Sequence, residues 1–440
     1  MTPVHARAGI GGIPQGQAPK GGWEMRRIAL VVTCMAFVVG LFTLGHGQEK
    51  KPIAVGKILP LTGDLAEFSA LLLASNLAVQ HVNAAGGPLD RPLKLVVADD
   101  GTLPDQGVAA ARRLIDIDRV PAISGPVASS VAMAIAPIVV ENKVVMVCDA
   151  ATTPLLSEYK DDDYIFRTST TDAFQGKALA LLAKEKSYKK ISILARNDTF
   201  GRSLAKVLDD SFKAVGGTVL RTVFYELGQT SYKSELVKAA EGNPDKIALI
   251  VYPEEGVTIM RQAVEQGITT FGLIPDSAKS QEMFDKVAKA VGKDKVEGIS
   301  GVAGATPTGA GTKTFNNLFK EKYGHDPYVF STNAYDSVFL LALAIEKAGK
   351  SGAPITGTAI RDAIREVANP PGEVVTVNEF AKAKELIRQG KKINYEGASG
   401  SLDYDKNGDV YAPVGVWEVK NGTIAEVKLY GVEEIRKIGN

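Results

Sequence analysis

From Ile53 onward, short runs of β-branched and aliphatic residues alternate with longer segments whose apolar residues recur at helical spacing. The segments "IAVGKIL", "LKLVVAD", "VPAISG", "KVVMVC", "KKISILA", "TVLRTVFY", "KIALIVY" and "EGISGVAG" read as strands. Between them lie "LAEFSALLLASNLAVQHVNAAGG", "PDQGVAAARRLIDI", "SVAMAIAPIVVEN", "AFQGKALALLAKEK", "GRSLAKVLDDSFKAVGG", "YKSELVKAAEG" and "GVTIMRQAVEQG". Several of these end in Gly, the residue that most often closes a helix. Such alternation leaves few architectures, because each crossover helix returns the next strand parallel to the last and covers a face of the sheet. The pattern predicts a doubly wound α/β fold, and so many units exceed one comfortable core, so it also predicts two lobes. Ligands in such sheets sit beyond the carboxyl ends of the strands. That singles out "GPVASS", "CDAATTP", "ARNDTFG", "VYPEEG" and "IPDSAKS" as site loops.

The chain of 440 residues is 45% hydrophobic and 23% charged, with a net charge of +1. That balance argues against a nucleic-acid binder or a polybasic membrane module. Residues 1–24 are rich in Gly, Pro and Gln without apolar periodicity and are expected to be disordered. Then "MRRIALVVTCMAFVVGLFTLGHGQEKK" begins at Met25, with two arginines, an apolar run over residues 28–44, and Gly45 and Gly47 at the −3 and −1 positions of a cut after Gly47. This is the pattern of a secretory signal peptide, with Met25 the expected start of translation. The competing reading is an uncleaved anchor, for which the run is barely long enough. After cleavage Cys148 is the one remaining cysteine, so no intrachain disulfide forms, and its place at the end of "KVVMVC" predicts a buried inert thiol.

The C-terminal third differs. "STNAYDSVFLLALAIEKAG" reads as a long buried helix, and "GASGSLDYDKNGDVYAPVGVWEVKNG" alternates as strands, with Asn407-Gly408 as the hairpin signal. Asp403, Asp405, Asn407 and Gly408 begin like a calcium loop, but the twelfth position is Val414 where a Glu is needed, so a hairpin turn is the better reading. His81 and His325 lie far apart without cysteine partners, so no zinc site is expected, and His81 is expected only to solvate its helix. No G-x-S-x-G elbow, P-loop lysine or G-x-G-x-x-G motif follows a strand, which leaves an enzyme, a metal or a cofactor without a motif to stand on.

In "ISGPVASSVAMAIAPIV" a strand breaks at Gly125-Pro126, and Ser129 and Ser130 precede a helical segment. A helix start has unpaired N–H groups and the positive end of the macrodipole, which suits a carboxylate. Equally, the serines could cap their own helix. Thr152 and Thr153 in "ATTP" are either a capped turn or the other half of a polar clamp. Asp276, after Pro275, reads as a loop residue, a helix cap or a charge partner, and Tyr252 could simply close the core.

The segment "GKILPLTGDLAEFSALLLASNLAVQHVNAAGGPLDRPLKLVVADDGTLPDQGVAAARRLI" resembles the opening of the periplasmic branched-chain amino-acid binding proteins, which have the type I periplasmic binding fold and serve ABC importers. "SGPVASSVAMAIAPIV", "ATTPLLS", "FRTSTTDAFQG", "NDTFGRSLA", "YELGQTSYKSEL", "MRQAVEQG" and the closing "GSLDYDKNGDVYAPVGVWEVKNG" continue the likeness in order, from about Ile53 to near the C-terminus. The resemblance implies two doubly wound α/β lobes, joined by crossing hinge segments, that close over a ligand. Lobe one is expected to hold residues 52–168 and 301–397, and lobe two residues 169–300 and 398–440. By that likeness Ser129, Ala150 and Thr152 hold the carboxylate and ammonium of an amino acid, and Phe68 covers it. Phe200 and Tyr252 line the second lobe, and Asp276 receives the ammonium. Phe200 lacks the hydroxyl of the family's tyrosine, Asp276 is shorter than the family's glutamate, the disulfide of some members is missing, and "VTVNEFAKAKELIRQGKKINYEG" lengthens the chain. The resemblance implies a monomeric periplasmic receptor without cofactor, taking a branched-chain or other small amino acid to inner-membrane permease subunits. An aromatic acid, amide or urea-type ligand, or a role as the sensing component of a signalling system, are its alternatives.

Overall fold

Strands β1 (Ile53–Leu59), β2 (Leu93–Asp99), β3 (Ala122–Ser124), β4 (Val145–Cys148) and β5 (Ile165–Arg167) form a parallel sheet in the order β2-β1-β3-β4-β5. Strands β6 (Lys190–Arg196), β7 (Thr218–Tyr225), β8 (Lys246–Ile250) and β9 (Phe271–Gly272) form a second parallel sheet in the order β7-β6-β8-β9. The molecule is a computed structural model that describes residues 50–304 and 309–439. The expected leader and signal segment, residues 1–47, lies outside these. Each sheet reverses direction of growth beside its first strand, which creates a crevice at the carboxyl ends there. Covered faces explain the composition of the strands: every residue of β4 is buried, and in β1 all but Ala54.

The expected strands and helices are present with small changes at their ends. Strands β5 and β9 were not expected, because three and two residues carry no readable period. The first helical segment divides into a 3-10 turn, Ala66–Ala70, and the helix Leu71–Ala84. Strand β10 (Ser300–Gly304) follows the second sheet. After it come β11 (Glu373–Val375), β12 (Ile393–Gly397) and β13 (Gly400–Ser401), a small sheet of their own, and then β14 (Val414–Lys420) and β15 (Thr423–Tyr430). The lengthened segment folds as part of this small sheet with the helix Phe380–Arg388, whose Phe380 packs edge-on against Phe339 of the long buried helix Ser331–Gly349. Strand β14 pairs with β15 on one side and β10 on the other, and Ile274 bridges to Gly301, so residues 300–304 and the closing hairpin associate with the second sheet.

Two sequence expectations are corrected. The hairpin turns at Asn421-Gly422, not at Asn407-Gly408. Asn421 and Gly422 have φ of 54° and 79° and link the paired residues Lys420 and Thr423, the two-residue turn that matches strand twist. Asn407 and Asp409 instead donate their backbone N–H groups to the Asp405 carboxylate at 2.8 and 3.0 Å. Arg167 donates its backbone N–H to the Gly408 carbonyl at 3.1 Å, and its side chain pairs with the buried Asp409 at 2.6 Å. Local side-chain bonds of this kind compete with strand pairing and win here. The two glycines therefore differ in consequence. Gly422→Ala is expected to cost about 1–2 kcal/mol, the left-handed penalty alone. Gly408→Ala should cost more, since a Cβ there would lie 2.3 Å from the Ile165 carbonyl oxygen. Urea unfolding of both variants tests this, and equal losses would contradict it.

The second correction concerns His81. It does not solvate its helix end: Nδ1 lies 2.8 Å from the Tyr335 hydroxyl, and burial pushes its pKa down to about 4. A long-range partner on the helix Ser331–Gly349 decided this, and no local pattern announces it.

Candidate ligand-binding site

The carboxyl ends of both parallel sheets open on one tight cleft, with a cavity of about 20 Å³. From the first sheet it takes Leu65, Phe68, Val127, Ser129, Ala150 and Thr152, and from the second Phe200, Tyr252, Asp276 and Ser277, with Phe330 closing one side. The structure thus gathers Phe68, Ser129, Ala150, Thr152, Phe200, Tyr252 and Asp276 around a single space. A roomier hollow of about 400 Å³, open to solvent, lies beyond Asp276 and Phe330, and of the residues singled out in sequence only Asp276 reaches it.

Ser129 is the first residue of the helix Ser129–Glu141, whose N-cap is Ala128 with no side-chain cap. The self-capping reading of the serines is therefore not what forms. Ser129 Oγ accepts from the Thr153 N–H at 3.4 Å, and Ser130 stays outside the cleft lining. Thr152 Oγ1 donates to the Asp172 carboxylate at 2.9 Å, while Thr153 Oγ1 turns to Ser203 Oγ, also at 2.9 Å, on the helix Thr199–Ala214.

The walls are aromatic. Phe200 lies in the first turn of the helix Thr199–Ala214, which Asp198 caps by accepting from the Gly201 N–H at 2.7 Å. It stacks on Tyr252 with ring centroids 5.6 Å apart. Behind Tyr252 the Arg196 guanidinium stands 5.0 Å from the ring centroid and pairs with Asp64, Asp198 and Glu255 at 3.0, 3.0 and 3.2 Å. Asp64 follows β1, so this ion pair joins the two sheet groups at the mouth of the cleft. Phe330 approaches Phe68 at 6.4 Å from a backbone with φ 64°, a conformation uncommon for a bulky residue and one found at functional positions more often than elsewhere.

Asp276 opens the 3-10 turn Asp276–Ala278 and is 6% exposed. It is not the cap of the following helix, because Ser280 fills that place by accepting from the Met283 N–H at 3.2 Å. Burial pushes its pKa up to about 6, against hydrogen bonds from the Gln175 side chain and the Ser277 N–H. Behind the Thr152 hydroxyl, outside the cleft lining, lies Asp172, which sequence reasoning missed. Its carboxyl is fully buried and raised well above the ordinary range, first by burial and then by the charge of Asp276. An acid in the first turn of a helix is adequately explained by the helix dipole, so "TTDAFQG" sent no stronger signal. Leu65, Val127, Ser277 and Phe330 were also missed, being apolar or small loop residues without a chemical signature.

Among the described residues, no lysine or arginine lines the cleft. Its polar groups are the helix start at Ser129, the Thr152 and Ser277 hydroxyls and the Asp276 carboxylate. Under the floor, fully buried Lys57 of β1 pairs with Asp149, the residue before Ala150, and reaches Ser124 Oγ at 3.2 Å. Cys148 beside it is buried, and burial pushes its thiol up to about 12, as suits an inert core residue.

A family model described as periplasmic binding protein matches residues 52–396. The chemotactic signal transduction system substrate-binding protein BasB of Halobacterium salinarum is 29% identical over 365 residues, covering 80% of this chain and 83% of its own. The Leu/Ile/Val-binding protein homolog 3 of Brucella melitensis is 26% identical over 371 residues, covering 82% and 89%. Among solved structures, the leucine binding protein LivK from Thermotoga maritima superimposes with a TM-score of 0.74 at 29% identity, covering 87% of this chain and 99% of that one.

Proposed function

The chain belongs to the periplasmic binding protein family, and from that premise we propose that it is the extracytoplasmic receptor of an ABC importer that binds a branched-chain or other small α-amino acid. Members of this family are solute-binding receptors and not enzymes. The observation that carries the ligand class is the polarity of the cleft. Ser129, at a helix start, offers donors to a carboxylate, while Asp276 offers an acceptor to an ammonium, with Thr152 beside them. Between them Leu65, Phe68, Val127 and Phe200 suit a small apolar side chain. An aromatic acid would bring a carboxylate and leave Asp276 without a cation, which the charge balance does not favour. Binding favours closure because only the closed form lets both sheet groups touch the ligand, with Asp64–Arg196 and Thr153–Ser203 adding contacts across the gap. The closed receptor then docks on membrane permease subunits. After loss of the leader it works in the periplasm; among the described residues no helix is long and apolar enough to cross a membrane. The chemotactic signal transduction role of the Halobacterium relative favours a second reading, in which the same binding event feeds a sensor.

Calorimetry against leucine, valine, small amides and benzoate tests the reading, with an α-amino acid expected to bind and benzoate not. Ser129→Ala and Thr152→Ala should each weaken that binding by about 1.5–3 kcal/mol, the usual worth of a hydrogen bond to a charged group. Unchanged affinity in both variants would place the ligand elsewhere. Uptake of labelled leucine, compared with taxis toward it, in cells with and without the gene separates transport from sensing.

A further inference from the structure

The hollow beyond Asp276 and Phe330 offers about 400 Å³, against about 20 Å³ in the cleft, which is room for about one water. Asp276 and Phe330 border both spaces, so a ligand held at Asp276 lies beside the hollow. Most polar side chains around the hollow are already engaged. Thr168 Oγ1 donates to the Asn333 carbonyl at 3.0 Å, and Asn333 Nδ2 donates to the Thr168 carbonyl at 2.6 Å. Thr312 Oγ1 donates to the Ala398 carbonyl at 2.6 Å, and Ser399 Oγ to the Asp336 carboxylate at 2.5 Å. The charges are matched too, Lys279 by Glu426 and Asp326 by Lys320, each at 2.9 Å. Ser169 Oγ and Gln175 Oε1 are different. Both residues line the hollow and are buried, at 2% and 5% exposed, yet these two atoms have no partner among the described residues. Both belong to the stretch that leads from β5 into the helix Asp172–Glu185. A buried polar atom left without a partner is costly, so its place in a hollow calls for a group that completes it. An amide oxygen only accepts, and a hydroxyl can accept, so a hydrogen-bond donor satisfies both.

We propose that the hollow is a second subsite of the ligand cleft, and that it takes the uncharged, hydrogen-bond-donating end of an amino-acid side chain that passes Phe330. The proposal rests on the amino-acid reading of the cleft and deepens it. With the ligand's ammonium at Asp276, an unbranched side chain can run into the hollow and bring its tip to Ser169 Oγ and Gln175 Oε1. A terminal amide suits the pair, because its NH2 group donates two bonds. A charged tip finds no free counter-ion in Lys279 or Asp326, both already paired. A thioether tip fills space but donates nothing, and it leaves both atoms unsatisfied in a site now closed to water.

The test is calorimetric titration of the whole native receptor with glutamine and with methionine, two unbranched amino acids of similar length. Glutamine is expected to bind about tenfold more tightly, the worth of one or two neutral hydrogen bonds. In Ser169→Ala and in Gln175→Met that preference should shrink by about threefold or more. Methionine binding the native receptor as tightly as glutamine, or more tightly, overturns the proposal while leaving the function intact. So does a preference that stays unchanged in both variants. If no α-amino acid binds at all, the functional reading falls and takes the proposal with it, so the two failures are told apart. The native comparison decides even where a variant does not fold.

Discussion

Asp276→Asn weakens the binding of an α-amino acid by about 2–5 kcal/mol, at least about thirtyfold in Kd. The reason is positional. Asp276 is the acid that the second sheet brings to the cleft, it is 6% exposed, and among the described residues the lining holds no lysine or arginine to take over its charge. A buried ammonium that loses Asp276 loses the carboxylate of the cleft lining. The des-amino analogue, 4-methylpentanoate, tests the same arrangement from the ligand side. It should bind the native receptor far more weakly than leucine, because it seats a carboxylate while leaving Asp276 without a cation. In Asp276→Asn the gap between the two ligands should narrow, since the stranded acid is gone. Tighter binding of 4-methylpentanoate than of leucine by the native protein would sink the amino-acid reading and leave the receptor reading standing.

Lys57→Met is expected to destabilise the fold by about 3–5 kcal/mol, the cost of leaving a buried charge without its partner. Lys57 is fully buried in the middle of the first sheet, flanked by β2 and β3, and pairs with Asp149, also fully buried. Its remaining bond, to Ser124 Oγ at 3.2 Å, continues to Ser337 Oγ at 2.6 Å on the long central helix. Removing the ammonium strands Asp149, which has one oxygen unpaired already. Removing both charges, in Lys57→Met with Asp149→Leu, should recover much of the loss, because a hydrophobic pair needs no solvation. Denaturant unfolding of the single and double variants measures this. A single variant as stable as the native protein would show that the ion pair contributes nothing. Asp149 directly precedes Ala150 in the cleft wall, so the single variant should also bind ligand more weakly.

Local information carried the strands and helices of the two sheets. In "LKLVVAD" or "KIALIVY" the β-branched run is long enough to declare itself, and the strands β2 and β8 lie within those runs. Where the element was short, as in β5 and β9, the run did not exist and the strand depends on its neighbours. The same held for the turns. Asn-Gly occurs twice in the C-terminal segment, and only Asn421-Gly422 closes a hairpin. Which one does so was settled by the local bonds of Asp405 and by Arg167, whose contacts with Gly408 and Asp409 span the fold.

The cleft shows the same division. Alternation of strands and helices by itself determined a doubly wound α/β chain and placed the candidate loops at the carboxyl ends of parallel strands, because crossover handedness and sheet burial leave no other arrangement. The likeness of ordered motifs then pointed to six residues in those loops and to Phe68 outside them, and all seven border one space. What the sequence could not contain was the electrostatic company of those residues. Asp172 opens a helix after β5 and Asp276 a 3-10 turn after β9, and nothing local distinguishes Asp172 from an acid that merely suits a helix start. His81 gained Tyr335 and Lys57 gained Asp149 in the same way, across long stretches of chain. Periodicity is a property of neighbours along the backbone, whereas a carboxyl's charge depends on what else is buried beside it. Only the packed tertiary structure decides that.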